Sequence, residues 1–216
     1  PALVIVAVPP DVTATTVAEE LSAHPDALVT DVASVKGSVL AELRALGADV
    51  SRYLGTHPMA GRERGGPISA RADLFVGRPW VLAGHDGISY RAAGAIEDLI
   101  LDVGAVPIEL SVEEHDRAVA LISHVPQLVA TAMAARLRGA SNAAVDLAGQ
   151  GVRDVTRIAS SDPGLWVQIL GANAGPVAGI LSELRDDLDA AIAALREPEA
   201  QGARRALADL LGAGNA

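Results

Sequence analysis

Leu3 to Val8 is apolar at every position, and no other feature constrains this chain as strongly. A run without a polar face suits a parallel strand covered on both sides. Pro9-Pro10-Asp11 stops it, and Asp11 or Thr13 is placed to cap a helix reaching about Leu21. His24-Pro25-Asp26 is a loop, Ala27 to Asp31 a second strand, and Val35 to Leu46 a second helix closed by Gly47. Strand, helix, strand and helix with short joints predict a parallel sheet. Because the chain opens inside a strand and without Met, we expect sheet neighbours upstream of Pro1.

Further strands are expected at Tyr53–Thr56, Trp80–Ala83 and Val106–Leu110, with a helix over Ser89–Val103. Between them Gly61, Gly65, Gly66 and Pro67, charged by Arg62, Glu63 and Arg64, read as a binding loop. At Ser111 the character changes. Ser111-Val-Glu-Glu114 is a capping box, and after it only helical patterns occur: Val119–Ile122, Leu128–Leu137, Ala143–Leu147, Val177–Leu195 and Ala206–Leu211. The expected fold class is α/β plus all-α, with an α/β unit over 1–110 and a helical unit over 111–216. The tail from Arg196 reads as one more exposed helix.

Composition excludes several functions. A net charge of −10 argues against a nucleic-acid surface, which needs clustered Lys and Arg. The absence of cysteine removes disulfides and thiolate metal sites and fits a reducing, cytoplasmic setting. No histidine pair has metal-ligand spacing, so no metal is expected. No uninterrupted apolar run reaches the ~18 residues of a membrane span, and the opening lacks the basic start of a signal peptide. No G-x-G-x-x-G lies between a strand and a helix; Gly149-Gln-Gly151 and Gly212-Ala-Gly214 sit among helices.

The chemistry-bearing residues cluster at predicted strand ends. Ser34 follows the second strand and His57 ends the third, and ligands of open α/β sheets bind beyond the carboxyl ends of strands. A loop histidine by itself is more often structural or merely solvated; Ser34 on the neighbouring strand end reverses this in favour of a general base. His124 precedes Pro126, which is expected to break or kink its helix and turn the imidazole toward a cleft. A helix-end histidine meeting the dipole explains the same spacing. Arg153 and Arg157 are i,i+4, a geometry that clamps a carboxylate or simply solvates a face with Asp154 paired to an arginine. His24, His85 and His115 read as surface residues.

Four ordered segments together resemble the prephenate and arogenate dehydrogenase family. They are Asp31-Val-Ala-Ser-Val-Lys36, His57-Pro-Met-Ala-Gly-Arg-Glu63, Ser123-His-Val-Pro126, and Arg153-Asp-Val-Thr-Arg-Ile-Ala159 with Ser161-Asp-Pro163 and Trp166. The resemblance implies a Rossmann-type domain followed by a helical dimerisation domain, hence a homodimer. It also implies oxidative decarboxylation of a cyclohexadienyl substrate with hydride transfer to NAD or NADP. His57 would accept a hydrogen bond from the ring 4-hydroxyl, and Ser34 would touch that hydroxyl and the nicotinamide side. Arg157 would hold the side-chain carboxylate, with Glu63 and Asp154 pairing to it and Trp166 lining the pocket. His124, Gln127 and Arg153 complete the expected substrate site. Ala7, Val8, Pro9 and Asp31 are expected beside the cofactor. Gln127 stands where prephenate-specific members often carry a second histidine, which brings arogenate into contention. A cofactor-free dimerising fragment of such an enzyme is the alternative.

Overall fold

In the computed structural model, residues 1–61, 70–88 and 93–215 are described. The binding loop with Glu63, and the first turn expected after Ser89, lie outside them. Strand β1 (Leu3–Val6) pairs in parallel with β2 (Leu28–Asp31), and helix α1 (Pro10–Ala23) connects them. Helix α2 (Gly37–Ala45) follows, then a 3-10 turn (Val50–Arg52) and β3 (Gly55–Pro58). A parallel bridge from Val29 to Tyr53 joins β2 to the start of the third segment. Strand β4 (Pro79–Gly84) pairs antiparallel to β3 and parallel to β5 (Val106–Ser111), with α3 (Gly94–Asp102) between β4 and β5.

The antiparallel β3–β4 pair is a departure from a purely parallel sheet. An antiparallel pair, unlike a parallel one, needs no crossover helix between its strands. A second departure concerns β1. Ile5 is 45% exposed, because among the described residues β1 pairs with β2 alone. Neither Asp11 nor Thr13 caps α1. Pro9 is the N-cap and Pro10 the first helical residue, where a missing N–H costs nothing. The Thr13 hydroxyl instead donates to the Pro9 carbonyl at 3.0 Å.

Val17, Leu21, Val29, Leu43 and Tyr53 build the core between α1, α2 and the sheet. Leu54, Trp80, Leu82, Ile96 and Ile100 build a second core under α3. Gly47 ends α2 at φ 72, a left-handed conformation that suits glycine.

Ser111 is both the last residue of β5 and the N-cap of α4 (Val112–Val119). The capping box forms in full, with Ser111 Oγ accepting from Glu114 N at 3.1 Å and Glu114 Oε2 accepting from Ser111 N at 2.8 Å. Helix α4 continues through a π turn (Ala120–His124) into α5 (Val125–Arg136). Helices α6 (Asn142–Asp146), α7 (Gln150–Thr156), α8 (Pro163–Ala172), α9 (Ala174–Arg196) and α10 (Ala203–Ala213) complete the unit, with a 3-10 turn (Arg157–Ser160) after α7. The joined helix Val112–Arg136 is long and apolar enough to cross a membrane by length and composition, which no uninterrupted apolar run had indicated. Here Ala120 and Val125 pack against Val177 of α9.

Candidate active site at the junction of sheet and helices

The end of β2 is organised by a buried ion pair. Lys36 is 1% and Asp31 0% exposed, and the ammonium donates to Asp31 Oδ1 and to the Thr56 carbonyl at 2.7 Å. Tyr53 donates its hydroxyl to Asp31 Oδ2 at 2.6 Å, and the Ala33 N–H donates to Oδ1 at 2.8 Å. Burial lowers the ammonium's pKa against the pull of Asp31. Burial and the adjacent Asp31 charge push the Tyr53 phenol well above its ordinary range. Asp31 therefore fixes the β2 end from inside. Its carboxylate is taken up by protein groups and is not open to a cofactor, which corrects the expectation for this residue.

His57 lies on β3, beside β2, which Thr56 joins through its hydroxyl to the Asp31 carbonyl at 2.8 Å. Its Nδ1 is 2.9 Å from His115 Nε2, the rings meeting edge to face at 5.2 Å between centroids. His115 Nδ1 is in turn 2.8 Å from Asp116 Oδ1. Asp116 accepts the backbone N–H groups of Lys36 at 2.9 Å and Gly37 at 2.8 Å, so a residue of α4 caps the N-terminus of α2. Burial alone raises the Asp116 carboxyl, but the His115 ring and the two N–H groups more than offset it and hold it below its usual value. Burial, then the Lys36, His115 and His124 charges, hold His57 well below its usual pKa, so its ring is neutral at pH 7.

His115 corrects the surface reading: it is 0% exposed. The signal was present. Val112, His115, Asp116 and Val119 follow the i, i+3, i+4, i+7 stripe of a helix face, and that face is the buried one. His85 is also withdrawn from solvent; its side chain is 3% exposed and its Nε2 lies 2.9 Å from the Tyr53 carbonyl.

His124 lies nine positions after His115. At about 3.6 residues per turn that is about two and a half turns, which would put the two rings on opposite faces of a regular helix. The π turn widens the helix between them and changes that phase. Pro126 does not break the helix, because it falls in the first turn of α5, where the π turn has already disturbed the ladder. His124 is 1% exposed, with Nδ1 3.1 Å from Asn173 Nδ2 and its ring 6.0 Å from that of Trp166. Asn173 also donates to the Asp116 carbonyl at 2.8 Å. Burial lowers the His124 pKa to about 4, against the opposing charge of Asp116.

Gln127, three residues after His124 and on the same face, donates to the Ile158 carbonyl at 3.0 Å. It thereby pins the 3-10 turn that begins with Arg157. Arg153 and Arg157 do not share one continuous α-helical face, since α7 gives way to that turn between them. Both are exposed, and Asp154 accepts from Gln150 at 2.7 Å. Ser34 is half-buried in the β2–α2 loop, and Ala7, Val8 and Pro9 lie exposed just beyond the C-terminal end of β1. A cavity of about 650 Å³ is lined by Arg44, His85, Glu109 and Glu113 among others, and His57, His115 and His124 are not in its lining.

The structure thus joins His57 and His124, with Trp166 against His124, through His115, Asp116 and Asn173. It ties Gln127 to the turn of Arg157 and leaves Arg153 and Asp154 on the surface. His115, Asp116 and Asn173 are additions that sequence reading missed.

Comparison with known proteins agrees over nearly the whole chain. The family model described as prephenate dehydrogenase, nucleotide-binding domain, matches residues 1–109, and that described as prephenate dehydrogenase, dimerization domain, matches 111–211. A probable prephenate dehydrogenase of Streptomyces niveus is 41% identical over 195 residues, covering 90% of this chain and 54% of its own length. The prephenate dehydrogenase of Bacillus subtilis is 32% identical, covering 87% and 52%. The chain spans about half the length of these curated relatives. The crystal structure of Aquifex aeolicus prephenate dehydrogenase with hydroxyphenyl propionate and NAD+ superposes with a TM-score of 0.81 at 29% identity, over 97% of this chain and 74% of that one. Synechocystis arogenate dehydrogenase gives 0.81 at 26% identity, over 99% and 78%. With two family models that between them cover both its sheet and its helices, the chain belongs to the prephenate dehydrogenase family.

Proposed function

We propose that this chain carries out the oxidative decarboxylation of prephenate or arogenate with NAD or NADP, as a cytoplasmic homodimer formed through its helical unit. The division into a nucleotide-binding unit, 1–110, and a dimerisation and substrate unit, 111–216, belongs to the same reading. The observation that carries it is the neutral His57 at a strand end, bonded through Nδ1 to a buried partner while Nε2 has no hydrogen-bond partner among the described residues. The bound nicotinamide supplies the hydride acceptor. His57 accepts the proton of the ring 4-hydroxyl as that oxygen becomes a carbonyl. Ser34 orients the same hydroxyl, and Ala7, Val8 and Pro9 border the nicotinamide. Arg157 holds the side-chain carboxylate, supported by Glu63, Arg153 and Asp154 around it. His124 and Trp166 line the ring pocket. Loss of the ring carboxylate as carbon dioxide makes the ring aromatic, so the protein's task is orientation and polarisation.

Gln127 bears on the choice of substrate. A neutral amide bonded to the Ile158 carbonyl offers no cation to a keto acid side chain, which favours arogenate. The test is turnover of the full-length protein, crossing prephenate and arogenate with NAD and NADP. Reduction of either cofactor by either substrate is expected. No reduction in any of the four combinations refutes the reading.

A further inference from the structure

We propose that His115 and Asp116 are positioning residues that hold the His57 ring in the tautomer protonated on Nδ1, leaving the Nε2 lone pair to accept a substrate proton. This rests on the reading of His57 as the proton acceptor and adds what makes it one.

Each link follows from the one before. Asp116 accepts two backbone N–H groups, from Lys36 and Gly37, and its Oδ1 also meets His115 Nδ1 at 2.8 Å. An ionised carboxylate has only acceptors, so the hydrogen in that last contact sits on His115 Nδ1. A neutral His115 ring then offers a lone pair at Nε2. That atom is 2.9 Å from His57 Nδ1, which must be the donor. His57 Nε2 is left as an acceptor. The charged and titratable groups around His57 are Lys36 from the β2–α2 loop, His115 from α4 and His124 from the π turn. A cationic His115 would instead donate from Nε2 and put the His57 hydrogen on Nε2, the form whose observation overturns the proposal.

The arrangement opposes the ring's own preference. An unconstrained neutral histidine side chain favours the Nε2–H form, which would present a donor to a hydroxyl that has to lose its proton. His115 is 0% exposed, so solvent does not compete for the contact that reverses this preference. Asp116 is held by the α2 N-terminus in turn, so the relay is anchored on the sheet side of the site.

The test is the long-range proton–nitrogen correlation spectrum of the full-length protein labelled with 15N-histidine. In the unsubstituted protein His57 should show a protonated Nδ1 and an unprotonated Nε2. In His115→Leu it should revert to the Nε2–H form. His115→Gln supplies a carbonyl that accepts the same N–H and should retain the Nδ1–H form. In parallel, kcat should fall about 100-fold in His115→Leu, the scale of a general-base contribution, with KM nearly unchanged and recovery in His115→Gln. An Nε2–H ring at His57 in the unsubstituted protein overturns the proposal, as do equal losses in the Leu and Gln variants. If His115→Leu does not fold, the unsubstituted spectrum decides. That spectrum needs no turnover, so an inactive protein removes the dehydrogenase reading while the tautomer is still measured.

Discussion

Replacing Lys36 by Met should reveal how much the β2 end depends on its buried charge pair. The substitution keeps the length of the side chain and removes the ammonium. Asp31, 0% exposed, retains the Tyr53 hydroxyl and the Ala33 N–H but loses its counter-ion. Breaking a buried pair by removing one partner costs about 3–5 kcal/mol. The Thr56 carbonyl also loses a donor, worth about 1 kcal/mol. At about 2–4 °C per kcal/mol for a chain of this size, the melting temperature should drop by roughly 8–24 °C. Asp31→Asn should cost less, because burial already lowers the pKa of Lys36 and the ammonium is able to shed its proton. Without Asp31 that pKa falls further. The unfolded chain then binds a proton that the folded chain does not, so stability of Asp31→Asn rises with pH up to the ordinary lysine pKa of about 10. The double variant should be less impaired than Lys36→Met alone, since a neutral pair leaves no uncompensated charge. Thermal melts of the three variants across pH measure all of this. Additive losses in the double variant, or a drop below about 3 °C for Lys36→Met, would refute the reasoning.

Three further outcomes are expected. His57→Asn should lower kcat at least ~100-fold with little change in cofactor affinity, read from steady-state kinetics and cofactor titration; near-normal turnover removes His57 from the chemistry. Arg157→Ala should raise KM far more than it lowers kcat, because anchoring a remote carboxylate is mostly uniform binding; an unchanged KM removes Arg157 from the substrate site. Acid should destabilise the fold well before ordinary carboxylates titrate. His57 and His124 are kept neutral by burial in the folded state, His124 down to about pH 4, while the unfolded chain takes up protons near pH 6.5. Stability should therefore fall as pH drops from about 6.5 toward 4. A flat urea midpoint over that range contradicts the buried, neutral histidines.

Local signals carried much of the architecture. Proline and glycine punctuation located α1, α2 and their strands to within a few residues, and the capping box at Ser111 marked where sheet gives way to helix. What escaped was set by contacts distant in the chain. The antiparallel β3–β4 pair depends on how the intervening loop returns, which no periodicity encodes. The π turn at Ala120–His124 is invisible to a 3.6-residue pattern, yet it sets where His124 faces. Asp31 looked like a strand-end ligand because strand-end carboxylates often are. That it is consumed depends on its own loop folding back, through Ala33 and Lys36, and on Tyr53 arriving from 22 positions downstream. His57 stood out in the sequence because a serine was expected on the neighbouring strand end. His115 was read as a surface residue although Val112 and Val119, three residues before it and four after, put it on an apolar face.

The borrowed cap on α2 has a consequence for biogenesis. Asp116 stands 80 positions downstream of the Lys36 N–H that it receives. During synthesis the sheet therefore emerges from the ribosome with that helix start unfinished. The turn carrying Ser34 stays unsettled until the first helix beyond β5 has been made and docked. Proteolysis of arrested nascent chains should thus cut between residues 31 and 37 until translation passes α4, and spare that segment afterwards.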